Sequence, residues 1–201
     1  MTSAVTTIVD YGAGNIRSVQ NTLEELGARY LVTNLPEVAR SASKIILPGV
    51  GHFGQMMHAI DRLRLREVLL ERIHAGIPFL GICIGLQCLF ESSEEAPEAL
   101  GLGIFPGSVK RFSGSARIPH MGWNSLAKVR PSKLLAGLDH EPFTYFAHSY
   151  YGPVIDATAA TCTYIQPYTA VIEQENIHAV QFHPEKSGPV GLRVVSNFLE
   201  L

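Results

Sequence analysis

The run Ile77-Pro78-Phe79-Leu80-Gly81-Ile82 is nearly continuous in apolar residues and ends at Cys83, which stands between Gly81 and Gly85. Such a run has the pattern of a central strand buried on both faces, and a helical pattern, Leu86-Gln87-Cys88-Leu89-Phe90, follows at once. Strand, tight turn and helix around one nucleophilic side chain make the cysteine counterpart of the G-x-S-x-G elbow. The turn presents the sulfur at the sheet edge, and the flanking glycines remove side chains that would collide with neighbouring strands and with an incoming substrate. The N-terminus of the following helix favours the thiolate, and the Ile84 amide can donate to a developing oxyanion.

The rest of the chain supplies the sheet that this elbow requires. Thr6–Val9, 29–33 and 44–47 read as strands, separated by a helical pattern with Ile16, Val19, Leu23 and Leu26 on one face and Gly27 at its end. A turn over Gly12-Ala13-Gly14-Asn15 leads into that helix, and Pro48-Gly49-Val50-Gly51 follows the third strand. One long helix is predicted from about Gln55 to His74, and an acidic, solvated loop from Glu91 to Ala99. Further strands are predicted over 103–112, 124–129, 144–151, 161–165, 169–173 and 177–182, with a closing helix over 190–199. This rhythm predicts an α/β fold: an open, mostly parallel sheet flanked by helices, flavodoxin-like, with additional antiparallel strands. With 201 residues and no linker or repeat, residues 1–201 read as a single domain.

Composition narrows the chemistry. The net charge is −2 with both signs interspersed, so no basic face is expected for nucleic acid or an anionic membrane. The absence of a basic leader or a membrane-length apolar run predicts a soluble cytoplasmic protein. Cys83, Cys88 and Cys162 are odd in number and contain no C-x-x-C pair, which argues against disulfides and a cysteine zinc site. Cys88 and Cys162 fall in apolar patterns and read as core residues. No metal and no cofactor is called for.

A thiol needs a base, and the base needs a group that orients it. The strand pattern Ile177-His178-Ala179-Val180-Gln181-Phe182 ends in His183-Pro184-Glu185, where proline stops the sheet. His183 and Glu185 can thus meet Cys83 where parallel strands end on one side of the sheet. His52, His58, His74, His140 and His178 lack a comparable partner and read as structural; His148 is left open.

Gly81 to Gln87 together with His183-Pro184-Glu185 resembles the signature of class I glutamine amidotransferases. Within that family, Pro48 to Phe53, Pro119-His120-Met121-Gly122-Trp123-Asn124 and Tyr145 to Tyr151 resemble the glutaminase subunits of imidazole glycerol phosphate synthases, a likeness that begins at Asp10 and runs nearly end to end. The resemblance implies a Cys83 thiolate that attacks the glutamine side-chain amide. His183 protonates the departing ammonia, Glu185 orients His183, and water hydrolyses the thioester. It places Val50 beside Ile84 in the oxyanion hole, and Gly51, Gln87, Glu95, Ser149 and Tyr150 around the glutamine.

The resemblance also implies a heterodimer with a (βα)8-barrel cyclase subunit, which receives the ammonia and makes imidazole glycerol phosphate and aminoimidazole carboxamide ribotide. Met121, Trp123 and Asn124 are expected to face that subunit, and glycines beside Val50 would permit a peptide flip on activation. The triad by itself does not exclude a glutaminase serving pyridoxal phosphate, anthranilate or purine synthesis, against which Pro48 to Gly51 and Pro119 to Asn124 stand. A catalytically silent relative and a cysteine hydrolase of another specificity are the remaining alternatives.

Overall fold

The computed structural model describes residues 5–12 and 15–201. Alternating β-branched runs and amphipathic stretches become, in chain order, β1 (Thr6–Val9), α1 (Ile16–Glu25), β2 (Tyr30–Thr33), α2 (Pro36–Arg40), β3 (Ile45–Gly49), α3 (Phe53–Arg62), α4 (Leu65–His74) and β4 (Phe79–Cys83). A single turn, α5 (Ile84–Gln87), leads to β5 (Phe90–Ser93), β6 (Phe105–Arg111), β7 (His120–Ser125), β8 (Ala127–Lys128), β9 (Phe143–His148) and β10 (Tyr150–Tyr151). The chain closes with β11 (Thr158–Thr163), β12 (Pro167–Gln174), β13 (Ile177–Val180) and α6 (Gly188–Leu199).

The main sheet has the order β2-β1-β3-β4-β13-β12-β11-β8. From β2 to β13 its pairings are parallel, and from β13 to β8 they are antiparallel. This is the open, mostly parallel α/β sheet with added antiparallel strands that the pattern predicts. The apolar run of β4 lies at the centre, where Phe79, Leu80 and Ile82 are buried. Each of these side chains contributes on the order of 1.5–3 kcal/mol by leaving water. Two smaller sheets, β10-β6-β5 and β7-β9, flank the C-terminal ends of the central strands.

Three expectations are corrected. The predicted helix from Gln55 to His74 is two helices, broken at Arg64 in the left-handed region with φ 56°. Phe53, Met56, Met57 and Ile60 are buried on α3, and a continuous helix would carry Arg64, Glu67 and Glu71 onto that face. The break rephases the chain so that Leu65, Val68, Leu69 and Ile73 are buried instead. The helix after Cys83 is one turn, not a run to Phe90, because Phe90 begins β5. The acidic loop is also partly strand: Phe90–Ser93 pairs in parallel with β6. Its acids serve the backbone, with Glu91 accepting from the Gly107 N–H and Glu94 from the Arg111 N–H. In the turn predicted over Gly12 to Asn15, residues 13 and 14 lie outside the described residues.

Candidate active site

The sheet order reverses at β1, whose two neighbours are β2 and β3, and ligands of open α/β sheets bind beyond the carboxyl ends of strands near such a switch. Cys83 ends β4 there with φ 56° and ψ −106°, a conformation that a β-carbon strongly disfavours. The elbow glycines follow from close backbone approach. A β-carbon on Gly81 would collide with the Gly85 carbonyl, and one on Gly85 with the Leu47 carbonyl of β3. The turn is thereby wedged against β3, which holds the strained cysteine in place. With only four residues, α5 contributes little dipole at the sulfur.

His183 and Glu185 come from the segment after β13. His183 keeps extended backbone, and Pro184–Lys186 forms one 3-10 turn that brings the Glu185 carboxylate back to the imidazole. His183 Nδ1 lies 2.8 Å from Glu185 Oε1, and both side chains are almost wholly buried. Asn15 Nδ2 donates to the same carboxylate oxygen at 3.3 Å. Burial opposes a charge on His183, yet the charge and hydrogen bond of the Cys83 sulfur, with those of Glu185, outweigh it and push the imidazole up to about 10. The hydrogen-bonded His183–Glu185 pair thus shares one cleft with Cys83, about a hundred positions away in sequence, and the charge of the sulfur acts on the imidazole. Cys88 and Cys162 are buried elsewhere, and burial pushes their thiols up to about 12 and about 11, so both are unreactive core residues as expected.

Cys83 and His183 open on a cleft of about 320 Å³ lined also by Val50, Gly51, Ile84, Gln87, Glu95, Ser149 and Tyr150. All the residues expected at the oxyanion hole and around glutamine therefore meet here, but not all are free to act as expected. The Val50 N–H donates to the Tyr11 hydroxyl at 3.3 Å. Glu95 Oε2 accepts the Phe53 N–H at 2.7 Å, at the first turn of α3. Gln87 is buried, and its Nε2 donates to the Tyr150 carbonyl and to Gln181 Oε1. Its amide nitrogen is therefore committed to the protein.

At the cleft mouth, β7 and β9 form a two-stranded antiparallel ribbon that pairs Trp123 with Tyr145. Alternation puts Met121, Trp123 and Phe143 on one strongly exposed face. Trp123 packs edge-on against Tyr145, whose backbone carbonyl accepts the His183 N–H at 2.9 Å. Asn124 is corrected: it points to the inner face, where Nδ2 donates to the Thr163 carbonyl and approaches His120 Nε2. A strand residue cannot share a face with its immediate neighbour.

Sequence reasoning missed Tyr11, Asn15 and Gln181 as site residues. Gln181 carried a signal, being a polar residue in an apolar run and two positions before His183. His148, left open, is buried with Nδ1 on the Tyr150 carbonyl at 2.8 Å. Among the described residues, no group of three or more His, Cys, Asp or Glu is placed to hold a metal ion, and no helix is long and apolar enough to cross a membrane.

The sequence profile of the family glutamine amidotransferase class-I matches residues 7–201. The chain is 49% identical over 195 residues to the imidazole glycerol phosphate synthase subunit HisH of Methanothermobacter thermautotrophicus, covering 96% of this chain and 97% of that one. It is 44% identical to the chloroplastic imidazole glycerol phosphate synthase hisHF of Arabidopsis thaliana, with 98% of this chain matching 34% of the longer plant protein. Among solved structures, a chain of PurLQS from Thermotoga maritima superposes with a TM-score of 0.78 at 19% identity over 98% of both chains, a likeness of fold alone. With the profile spanning nearly the whole chain, this protein belongs to the class I glutamine amidotransferase family.

Proposed function

We propose that the protein is the glutaminase subunit of an imidazole glycerol phosphate synthase, with Cys83, His183 and Glu185 as its catalytic triad. The carrying observation is the buried contact of 2.8 Å between His183 Nδ1 and Glu185 Oε1, with His183 and Cys83 lining the same cleft. The relatives named as synthase subunits, matched end to end, support the choice of synthase.

In this reading Cys83 Sγ attacks the side-chain amide carbon of glutamine, and the carbonyl oxygen takes the negative charge. The Ile84 N–H, at the start of a helical turn, donates to that oxygen, joined by Val50 N–H once it leaves Tyr11. His183 gives its proton to the departing nitrogen, so ammonia leaves and a glutamyl thioester remains. Water, deprotonated by His183, then releases glutamate and restores the sulfur. Glu185 accepts from Nδ1 throughout and keeps the reactive Nε2 toward the sulfur. Gly51, Glu95, Ser149 and Tyr150 surround the amino-acid end of the substrate, with Gln87 behind them.

The partner is a (βα)8-barrel cyclase subunit that docks on Met121 and Trp123 to make a cytoplasmic heterodimer and takes up the ammonia. The whole chain acts as one glutaminase domain. The plant relative, in which the matching region is about a third of one longer synthase chain, supports a partner held close to this domain. The test is glutamate release by the purified protein alone, with the cyclase subunit, and with that subunit plus its ribonucleotide ligand. Activity that rises with the complete set supports the reading. High activity indifferent to the cyclase would instead point to another synthase.

A further inference from the structure

Gln181 has no exposed surface, and its Nε2 lies 3.7 Å from Cys83 Sγ. The orientation of its amide follows from neighbours whose hydrogen-bonding roles are fixed. The Tyr150 carbonyl can only accept, so the Gln87 nitrogen, 2.8 Å away, must be a donor. The same nitrogen lies 3.0 Å from Gln181, which must present its oxygen there. That leaves the Gln181 N–H pointing at the sulfur.

A second row of groups fixes the Tyr150 carbonyl from behind. His148 Nδ1 also contacts that carbonyl at 2.8 Å and so carries a proton, which makes His148 Nε2 an acceptor for the Tyr168 hydroxyl at 3.3 Å. The Tyr168 oxygen then accepts from His120 Nδ1 at 3.1 Å. Every donor in this row meets an acceptor, and the aromatic rings of Phe112 and Phe146 pack around it. A fully satisfied buried network is rigid, because any rotation would leave a polar group unpaired away from water.

We propose that Gln181 is a positioning residue for the reaction: its amide N–H, held by Gln87 against the Tyr150 carbonyl, fixes the Cys83 sulfur and favours it as the thiolate. This rests on Cys83 being the nucleophile. A donor aimed at sulfur stabilises the anion over the neutral thiol, and it restricts the side-chain rotation that would turn Sγ away from His183. The burial of Gln181 leaves no bulk water to replace the bond. Gln87 accordingly acts through Gln181 as much as on the substrate.

The experiment uses the complete synthase with its ribonucleotide ligand and compares Gln181→Met, Gln181→Glu and Cys83→Ala with the unmodified protein. Glutaminase kcat and KM are measured from pH 6 to 9, with the rate of Cys83 alkylation by iodoacetamide. Thermal unfolding and assembly with the cyclase monitor folding. Gln181→Met removes the donor at nearly constant volume, and kcat is expected to fall about 10- to 100-fold, the range for loss of a hydrogen bond to a charged group, with KM within about twofold. Alkylation slows in parallel. Gln181→Glu keeps the acceptor for Gln87 but turns a carboxylate oxygen toward the sulfur, which disfavours the thiolate, so its activity is depressed most at the low-pH end and its profile shifts to higher pH.

Unchanged kcat and alkylation in Gln181→Met would overturn the proposal, and so would a rise in KM at constant kcat, which would make Gln181 a glutamine-binding residue. If Gln181→Met does not assemble, the near-isosteric Gln181→Glu decides: a pH profile unshifted from that of the unmodified protein refutes the inference. Retained hydrolysis in Cys83→Ala would overturn the triad itself, whereas an inactive Cys83→Ala with a normal Gln181→Met would sink only the role of Gln181.

Discussion

The Val50 amide nitrogen lies 3.3 Å from the hydroxyl oxygen of Tyr11, so the N–H expected in the oxyanion hole is bonded to a side chain of the β1 end. Tyr11 is buried, and burial holds its hydroxyl well above the ordinary tyrosine range, which keeps it neutral. Gly49 and Gly51 flank Val50, and Gly51 already has φ 97°, so neither chain neighbour carries a side chain that opposes a turn of the Val50 peptide. Tyr11 thus competes with a developing oxyanion for the same donor.

Tyr11→Phe removes that competitor. A neutral hydrogen bond is worth about 1 kcal/mol, so basal glutaminase activity of the isolated subunit should rise about fivefold, with a smaller activation by the cyclase. Steady-state glutamate release with and without the partner is the measurement. An unaltered basal rate would leave Tyr11 as a packing residue only.

Cys83→Ala should lower glutamine hydrolysis by at least about a thousandfold, as loss of a covalent nucleophile does. Affinity for the cyclase should stay within about twofold, because Cys83 lies at the base of the cleft and not on the β7–β9 face. Isothermal titration against the cyclase checks the second half. Glutamate release close to the unmodified rate would remove Cys83 from the mechanism.

His183 should titrate near pH 10 by nitrogen-15 NMR. The sulfur and the carboxylate both raise its value against burial, so removing either must lower it. Cys83→Ala and Glu185→Gln should each move the midpoint down, and a midpoint that does not respond to either would contradict the coupling of the three groups.

His120 and His148 set a pH limit on stability. Burial pushes them down to about 4 and about 3, whereas in the unfolded chain they take up protons near the ordinary histidine value of 6.5. Below that value the unfolded state binds more protons than the native state, so stability is present above pH 6.5 and is lost progressively toward pH 4. Urea midpoints should already fall between pH 6.5 and 5. A flat midpoint over that interval would mean that these histidines ionise without disturbing the fold.

Trp123→Ala should weaken binding of the cyclase by about 2 kcal/mol, roughly 30-fold in Kd, as truncation of an aromatic anchor does. Trp123 is more than half exposed, so the melting temperature should change little. An unchanged Kd would take Trp123 out of the interface.

The proposed triad was legible because each part is local. A buried apolar run, two glycines and a cysteine specify an elbow, and His-Pro-Glu at the end of another apolar run specifies a base and its orienting acid. The core of α1, with Val19 and Leu23 buried, followed from spacing in the same way. The break at Arg64 was readable too, as a change in phase between the apolar positions of α3 and α4, but periodicity summed over twenty residues conceals it. The strand in the acidic segment was not, because Glu91, Glu94 and Glu95 look solvated until β6 and α3 offer them unpaired N–H groups.

By itself, then, the sequence determined the α/β class, the central strand and the cysteine, histidine and glutamate proposed as nucleophile, base and acid, since these depend on patterns within one strand or turn. Tertiary structure alone decided which polar groups face one another. Gln87 and Gln181 meet 94 positions apart, Tyr11 captures the Val50 amide across 39, and Asn124 turns inward while Trp123 turns out. Partners of buried polar groups are chosen by the donors and acceptors the folded backbone leaves unsatisfied, and that remainder exists only once the sheets have assembled.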